Sequence, residues 1–244
     1  MPTLHIFIVS WAGQHANAAR IAESLSGAAD RLSIVYSDPD LALIPDAGCE
    51  SIRRPNELYW GDKFKACLDA CYEDLMLVIH ADCQCDDWKG MAGKCREAHR
   101  KINNLGVWAP LVDWTPFDIA NTVIATIDRS PLRVVAQTDA IVFSLSRPVA
   151  DRMRRADYEK NIYGWGIPWM FVACAFSNNM LAVVDESVPV KHPQGRGYDE
   201  NAARSQMNEF LQQLSPAELV QYRLLKSHIE LNRRINMRRQ KPGR

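Results

Sequence analysis

Residues 75–88, LMLVIHADCQCDDW, form the stretch that decides the fold. Five consecutive apolar residues, Leu75–Ile79, end abruptly at His80, Ala81 and Asp82. Such a run predicts a strand buried on both faces, and open α/β sheets bind their ligands beyond the carboxyl ends of these strands. Because His80 and Asp82 alternate with Ala81, their side chains point to the same side of an extended chain. The pair therefore predicts a site for a divalent cation and, through it, a diphosphate.

Strand-like and helix-like segments alternate on both sides of this run. Further strands are expected at residues 4–10, 32–36, 49–52, 107–112, 123–127, 133–137, 140–145 and 181–190. Helices are expected at 15–26, 61–72, 88–103, 148–156 and 199–214, with a last helix from 215 toward 239. The last helix opens on Ser215-Pro-Ala-Glu218, which has the pattern of a capping box. This alternation predicts βαβ units and an α/β fold with a parallel sheet.

Composition is consistent with one globular domain and a basic appendage. The 244 residues are 47% apolar and 24% charged, which argues against general disorder. We expect an α/β domain at residues 1–214 and a basic helix that leaves it at 215–244. Formal net charge is zero, and no basic stripe is interleaved with aromatic residues, so we expect no binding of nucleic acid.

The charge of the last segment is strongly biased. Residues 223–244 contain eight Lys or Arg residues against a single acidic residue, Glu230. For the basic tail at residues 233–244 two interpretations stay open: peripheral contact with an anionic membrane, or a solvated chain end.

The seven cysteines favour a reducing compartment. Residues 1–12 lack a basic leader, and no stretch reaches the roughly 20 apolar residues of a membrane span, so the expected location is the cytoplasm. The spacings of Cys67, Cys71, Cys83, Cys85 and Cys95 do not match the paired C-x₂-C pattern of structural zinc sites. Cys67 and Cys71 also fall on the apolar stripe of their expected helix, where cysteine acts as a small hydrophobic residue.

Several motifs in order resemble those of nucleotide-diphospho-sugar glycosyltransferases of the A-type fold, close to the family 2-like bacterial enzymes. They are IFIVSWAG at 6–13, YSDPD at 36–40, WGDK at 60–63, VIHAD at 78–82, QTDA at 137–140, YGWGIPW at 163–169 and VKHPQGRGYD at 190–199. The resemblance runs from about residue 4 to residue 214. It implies a single Rossmann-like domain with a mixed central sheet, followed by the helical extension.

The resemblance implies a nucleoside site at the ends of the first two strands. Ser10, Trp11 and Asp38 would hold the nucleoside, with Asp38 as a charge-assisted hydrogen-bond acceptor. Asp38 is equally suited to forming the turn in Ser-Asp-Pro-Asp. Lys63, at the start of a helix, would meet a phosphate or be solvated.

Relatives bind Mg²⁺ or Mn²⁺ and the diphosphate through an Asp-any-Asp motif, whereas this chain has His80-Ala81-Asp82. Only the second carboxylate is kept, which favours Mn²⁺ because it accepts imidazole better than Mg²⁺ does. His80 could instead merely cap its strand. The resemblance makes His192 a further metal ligand and Arg196 a clamp for the diphosphate, although Pro-Gln-Gly-Arg-Gly is also an ordinary surface turn.

The family pattern breaks at YGWGIPW. Relatives often carry an aspartate general base where this chain has Pro168, and proline has no titratable group. Asp139 is the best replacement by motif, with Asp157 and Glu159 as weaker candidates. A helix that starts at Ile167 would accommodate proline in its first turn.

Two tryptophans of the same segment, Trp165 and Trp169, would stack on a sugar or belong to the core.

Two classes of function follow. The first is a metal-assisted enzyme that moves a sugar from a nucleoside-diphosphate donor to a hydroxyl of a saccharide or lipid-linked acceptor. The second is a catalytically degenerate relative that binds the donor or acts as a scaffold. Pro168 and His80 favour the second class, and the first is favoured by Asp82, Asp139, His192 and Arg196.

Overall fold

The computed structural model describes residues 1–40, 48–113, 115–193 and 198–239. Nine strands join in one sheet: β1 (Leu4–Ser10), β2 (Arg31–Tyr36), β3 (Glu50–Arg53), β4 (Leu75–His80), β5 (Leu105–Val112), β6 (Val123–Thr126), β7 (Leu132–Val135), β8 (Val142–Ser146) and β9 (Leu181–Val190). The strands predicted from the sequence are confirmed, with bounds that differ by two residues at most.

The helices alternate with these strands. They are α1 (His15–Ser24), α2 (Trp60–Ala70), α3 (Trp88–Lys101), α4 (Ile119–Thr122), α5 (Arg147–Arg154), α6 (Ile167–Ser177), α7 (Glu200–Phe210) and α8 (Pro216–Arg239), with a 3₁₀ turn at Leu211–Gln213. The short α4 was not expected from the sequence, because four residues are too few to show a helical period.

The sheet is mixed, as the resemblance implied. Its strand order is β3-β2-β1-β4-β8-β5-β9-β7-β6. The first four strands run parallel, β8 runs against both β4 and β5, and β9 is parallel to β5. The carboxyl ends of β1, β4, β5 and β9 therefore meet along one edge of the sheet.

Each face of the sheet is covered by helices. On β1, Phe7 and Val9 face one core, and Ile6 and Ile8 face the other, as the period of two in a strand requires. The first core is completed by α2, α5 and α6, and the second by α1 and α3. Burial on both faces explains why β1 and β4 are nearly continuous apolar runs.

The helix α6 starts where Pro168 is tolerated. Gly166 precedes it with φ of 92°, a left-handed conformation that glycine adopts at little cost. Pro168 lies buried in the first turn, where no intrahelical partner is needed for its missing N–H. The expectation of a helix from Ile167 is confirmed, so the proline leaves the fold intact.

The capping box at the start of α8 is confirmed. The Ser215 backbone N–H donates to Glu218 Oε2 at 2.8 Å, and the Glu218 N–H donates to Ser215 Oγ at 3.3 Å. Glu218 also accepts two hydrogen bonds from the Arg152 guanidinium, at 2.7 and 2.9 Å. The bidentate pair fixes the start of α8 to α5.

The helix α8 does not leave the body, contrary to the expectation for residues 215–244. It packs against α6 and α4, and Tyr222 meets Trp169 edge-on with ring centroids 5.3 Å apart. Side chains of α8 also bond to backbone carbonyls of the segment 116–123: His228 to Val123, Asn232 to Asn121, Arg233 to Pro116 and Asn236 to Ala120. The division into two domains at residue 214 stays a prediction. Among the described helices, none combines the length and the apolar character needed to cross a membrane.

Acid is expected to destabilise the fold through His99 of α3. Its Nε2 lies 2.7 Å from Ser144 Oγ on β8, and burial lowers its pKa to about 4. The unfolded state, with a histidine pKa near 6.5, binds more protons between these values, so the free energy of unfolding falls as pH falls through this window. We expect the contribution of His99 to lower the free energy of unfolding by about 2 kcal/mol between pH 7 and pH 5.

Urea unfolding at both pH values, for the wild type and His99→Gln, measures this contribution. Glutamine keeps a hydrogen-bonding group for Ser144 but does not titrate. Equal pH dependence in the two proteins would contradict the assignment.

Candidate functional site

The loop after β4 is joined to the end of β9 by a pair of backbone hydrogen bonds. Gln84 and Lys191 form an isolated antiparallel bridge, with both N–H···O distances at 2.9 Å. Asp82 lies two residues before Gln84, and His192 follows Lys191 directly. The bridge therefore brings two side chains together although β8 and β5 separate their strands in the sheet.

Asp82 and His192 are in contact. His192 Nε2 lies 3.5 Å from Asp82 Oδ2. Burial would raise the pKa of Asp82, but the hydrogen bond from His192 and the electrostatic influence of the His80 and His192 imidazoles bring it below its usual value. The site thus holds an ionised carboxylate.

The His80 ring is enclosed by tryptophans. Its centroid is 5.3 Å from that of Trp11 and 4.6 Å from that of Trp60, both edge-on. Burial lowers the pKa of His80 to about 4, so the imidazole is neutral near pH 7. Neutral imidazole is the form that binds metals.

Two atoms of this group suit a cation. His80 Nε2 and Asp82 Oδ1 are both buried and have no hydrogen-bond partner among the described residues, a costly state unless something binds them. A carboxylate oxygen with an imidazole nitrogen fits Mn²⁺ better than Mg²⁺. A site with three close protein ligands is not formed here: the ligand atoms of His80, Asp82 and His192 do not all lie within 4.8 Å of one another. Elsewhere in the described part of the chain one group of three side chains does meet this distance. Asp82 is therefore the principal ligand available.

A hydrogen-bonded chain connects the ends of β1 and β2. Ser10 Oγ lies 2.9 Å from His15 Nδ1, and His15 Nε2 lies 2.9 Å from Asp38 Oδ2. Since a carboxylate only accepts, Nε2 carries a hydrogen, and in the neutral ring Ser10 therefore donates to Nδ1. Ser10 is fully buried and positions His15; its direct contact with a nucleoside stays a prediction. Asp38 Oδ1 also accepts the Asp40 N–H at 2.8 Å, so Asp38 also stabilises the turn after β2.

Lys63 is buried rather than solvated, which corrects one of the two expectations; its contact with a phosphate stays a prediction. It is 3% exposed, and its Nζ donates to the carbonyls of Leu58 and Tyr59 at 3.2 Å each. Burial lowers its pKa to about 8. Two of its three donors are thus used by backbone, and Lys63 holds the loop before α2.

A cavity of about 320 Å³ lies beside the Asp82 group. Its walls carry three carboxylates, Asp113, Asp118 and Asp139, and three threonines, at 115, 122 and 138. Asp113 joins the cavity to the Asp82 group, because its Oδ1 accepts the His192 N–H at 2.9 Å. Asp139 Oδ1 accepts the N–H of Ala140 at 2.8 Å.

The other described candidates do not line this cavity, although Trp169 packs against Phe117, which does. Trp165 donates from Nε1 to the Tyr198 hydroxyl at 2.9 Å, and Trp169 packs edge-on against Phe117 at 5.8 Å. Asp157 and Glu159 are exposed. The diphosphate clamp predicted at residue 196 lies outside the described residues.

Sequence reasoning missed His15 and Asp113. Asp113 directly follows an apolar strand, so the rule applied to His80 and Asp82 would have found it. His15 gave no such signal, because its importance depends on the approach of Asp38 from the next strand.

No family model matches the chain, and no curated protein matches it significantly. Solved structures do share the fold. GalNAc-T7 with UDP, GalNAc and Mn²⁺ aligns with a TM-score of 0.63 and 10% identity over 82% of this chain, which spans 45% of that protein. A mannosyltransferase from Pyrobaculum calidifontis with GDP-Man and Mn²⁺ aligns with a TM-score of 0.58 and 11% identity, over 94% of this chain and 70% of that one.

A third similar structure is glucosyl-3-phosphoglycerate synthase from Mycobacterium tuberculosis, solved with UDP and Mn²⁺. It aligns with a TM-score of 0.52 and 11% identity, over 86% of this chain and 77% of that one, and it has also been solved with Mg²⁺. At such low identity the likeness establishes the fold alone. The chain has the GT-A fold of nucleotide-sugar glycosyltransferases.

Proposed function

We propose that this protein is a metal-assisted glycosyltransferase that moves a sugar from a nucleoside-diphosphate donor to a hydroxyl acceptor. The observation that carries the proposal is the ionised Asp82, with one buried oxygen lacking a hydrogen-bond partner among the described residues. It lies at the carboxyl edge of a GT-A sheet, between two histidines.

Asp82, together with His80 or His192, would hold the cation, Mn²⁺ or Mg²⁺. When bound, the cation supplies charge neutralisation for the diphosphate and for the leaving group. The similar structures named above contain Mn²⁺ or Mg²⁺ with UDP or GDP-Man, which supports a divalent cofactor here. The contribution of His192 stays part of the proposal.

The nucleoside would lie over the ends of β1 and β2. The Asp38 carboxylate accepts one hydrogen bond from His15 and one from the Asp40 N–H. It would accept a further one from a ribose or base, since two oxygens offer about four acceptor positions. The half-buried indole of Trp11 offers an apolar surface next to it. His15 keeps the carboxylate oriented.

Asp139 is our candidate for the catalytic base. Its position on the cavity wall would allow it to take the proton of an acceptor hydroxyl, while Pro168 lacks a titratable group. No Lys or Arg lies among the residues that line the cavity in the described part of the chain. Carboxylates and threonines bind neutral hydroxyl groups, so a saccharide or lipid-linked acceptor fits better than a strongly anionic one.

A second candidate is a degenerate relative that binds the donor without turning it over. The buried Pro168 in α6 favours it, because the general base common in relatives is lost. The cytoplasmic location and the contact between the basic tail and an anionic membrane also stay predictions. Arg233 in that tail donates to the Pro116 carbonyl at 2.8 Å, and residues 240–244 lie outside the described part.

Calorimetric titration of the full chain with UDP and GDP, with and without Mn²⁺, tests the proposal. We expect one nucleotide to bind at least about tenfold more tightly with Mn²⁺, equivalent to about 1.4 kcal/mol. If the folded protein binds neither nucleotide, both candidate functions are wrong. Binding without hydrolysis of any nucleotide-sugar in a panel would favour the degenerate relative.

A further inference from the structure

A second cluster of metal-ligating side chains lies at the opposite, amino-terminal edge of the sheet. His5 belongs to the start of β1, and Cys71 and Glu73 belong to the connection between α2 and β4. One ligand atom from each of the three lies within 4.8 Å of the others. His5 is fully buried, Cys71 is 2% exposed and the Glu73 side chain is 12% exposed.

The spacing of these atoms suits tetrahedral zinc. His5 Nδ1 lies 3.2 Å from Glu73 Oε2, and Cys71 Sγ lies 3.9 Å from the same oxygen. Ligands at the usual Zn²⁺ bond lengths and a tetrahedral angle are roughly 3.3–3.6 Å apart. The two distances to Glu73 Oε2 therefore differ from the tetrahedral values by only a few tenths of an ångström, and the third pair, His5 Nδ1 and Cys71 Sγ, lies within 4.8 Å.

The hydrogen bonds of His5 orient its ring for such a role. Its Nε2 lies 2.8 Å from Ser33 Oγ, and the Ser33 hydroxyl donates to Glu50 Oε2 at 3.2 Å. A serine has one hydroxyl hydrogen, so in this arrangement Nε2 must be the donor and Nδ1 carries a lone pair. A hydrogen-bond acceptor on the far ring nitrogen is the usual companion of a metal-bound histidine.

In this arrangement two hydrogen-bond acceptors face each other with no hydrogen between them. The lone pair on His5 Nδ1 points at a carboxylate oxygen of Glu73, and only a proton or a cation between them removes the repulsion. The other assignment has Nδ1–H donating to Glu73 and breaks the bond between Ser33 and Glu50.

We propose that His5, Cys71 and Glu73 bind Zn²⁺. Nitrogen, sulfur and oxygen ligands together suit this borderline-soft ion, and water reaching the partly exposed Glu73 completes the fourth position. The Cys71 thiol releases its proton to solvent on binding, so a thiolate and a carboxylate balance the two positive charges. The ion joins β1 to the segment that enters β4, away from the donor site.

Cobalt substitution in the full chain tests this site, because a thiolate bound to Co²⁺ gives a charge-transfer band that oxygen and nitrogen ligands do not. We expect one equivalent of Co²⁺ to give the band and Zn²⁺ to displace it. Cys71→Ala should abolish the band. Cys67→Ala is the matched control, since Cys67 is buried on α2 and lies outside the cluster.

Two further variants keep the test decisive if Cys71→Ala does not fold. Glu73→Gln should lower Zn²⁺ affinity at least about tenfold. Ser33→Ala should lower it about 10- to 100-fold, because it removes the hydroxyl that orients the His5 ring. Asp82→Asn should leave the band intact, which separates this site from the donor site. Absence of the band in the wild type, or a band that persists in Cys71→Ala, overturns the proposal.

Discussion

Asp82→Asn is expected to weaken Mn²⁺-dependent binding of UDP or GDP by about 100-fold, equivalent to about 2.7 kcal/mol. Asparagine keeps the shape of the side chain but removes the negative charge, and a hard cation binds a carboxylate far better than an amide. Hydrolysis of a nucleotide-sugar should fall by at least the same factor, because the cation's charge stabilises the leaving group. Calorimetry and a hydrolysis assay measure the two effects.

The matched control for this change is Asp86→Asn. Asp86 lies in the same acidic loop but is exposed, and its loss should change neither affinity nor rate by more than about twofold, since exposed charges are strongly screened. If Asp82→Asn behaves like Asp86→Asn, the cation is held elsewhere and our assignment of the site is wrong.

Gly61→Ala is expected to destabilise the protein by about 3 kcal/mol or more. A Cβ at this position would lie 2.0 Å from the Asn161 carbonyl oxygen and 3.0 Å from its carbon. The Gly61 N–H donates to the Ile162 carbonyl at 3.0 Å, so both partners are backbone and cannot turn aside as a flexible side chain would. Overpacking of this kind commonly costs about 1–3 kcal/mol and sometimes more.

Gly93→Ala provides the control. Gly93 lies inside α3, it is exposed, and a Cβ added there would have no neighbouring atom within 4 Å. Alanine there should stabilise the protein by about 0.5–1 kcal/mol through helix propensity. Urea unfolding followed by circular dichroism compares the two. If Gly61→Ala lowers the free energy of unfolding by less than about 1 kcal/mol, the backbone at residues 161–162 moves aside at little cost and our prediction is wrong.

Most of the framework could be predicted because apolar periodicity carries the information. The run before His80 and the alternating helices determine β4 and its parallel neighbours, and the pattern Ser215-x-x-Glu218 determined a cap now seen in both hydrogen bonds. The packing of α8 was not predicted. We expected a basic helix that leaves the body after residue 214, but α8 packs against α6 through inward apolar residues such as Leu225 and Ile229.

The site could be predicted in location more than in detail. Asp82 was identified from local pattern, whereas the approach of His192 depends on a bridge between Gln84 and Lys191, about a hundred residues apart in the chain. The burial of Lys63 under two carbonyls was invisible for the same reason. The cluster at Cys71 shows the limit of prediction from sequence most clearly, because no recognised motif links Cys71 and Glu73 to His5.

The hydrogen bonds from α8 to the carbonyls of residues 116–123 have a consequence for the order of folding during synthesis. That segment supplies Phe117, Asp118, Ile119 and Thr122 to the cavity wall, but the helix that supports it is translated about a hundred residues later. Chains are made from the amino end, at about 5–20 residues per second. Strands β1 to β4 can thus form early, while this wall of the cavity gains its support only when α8 has been made.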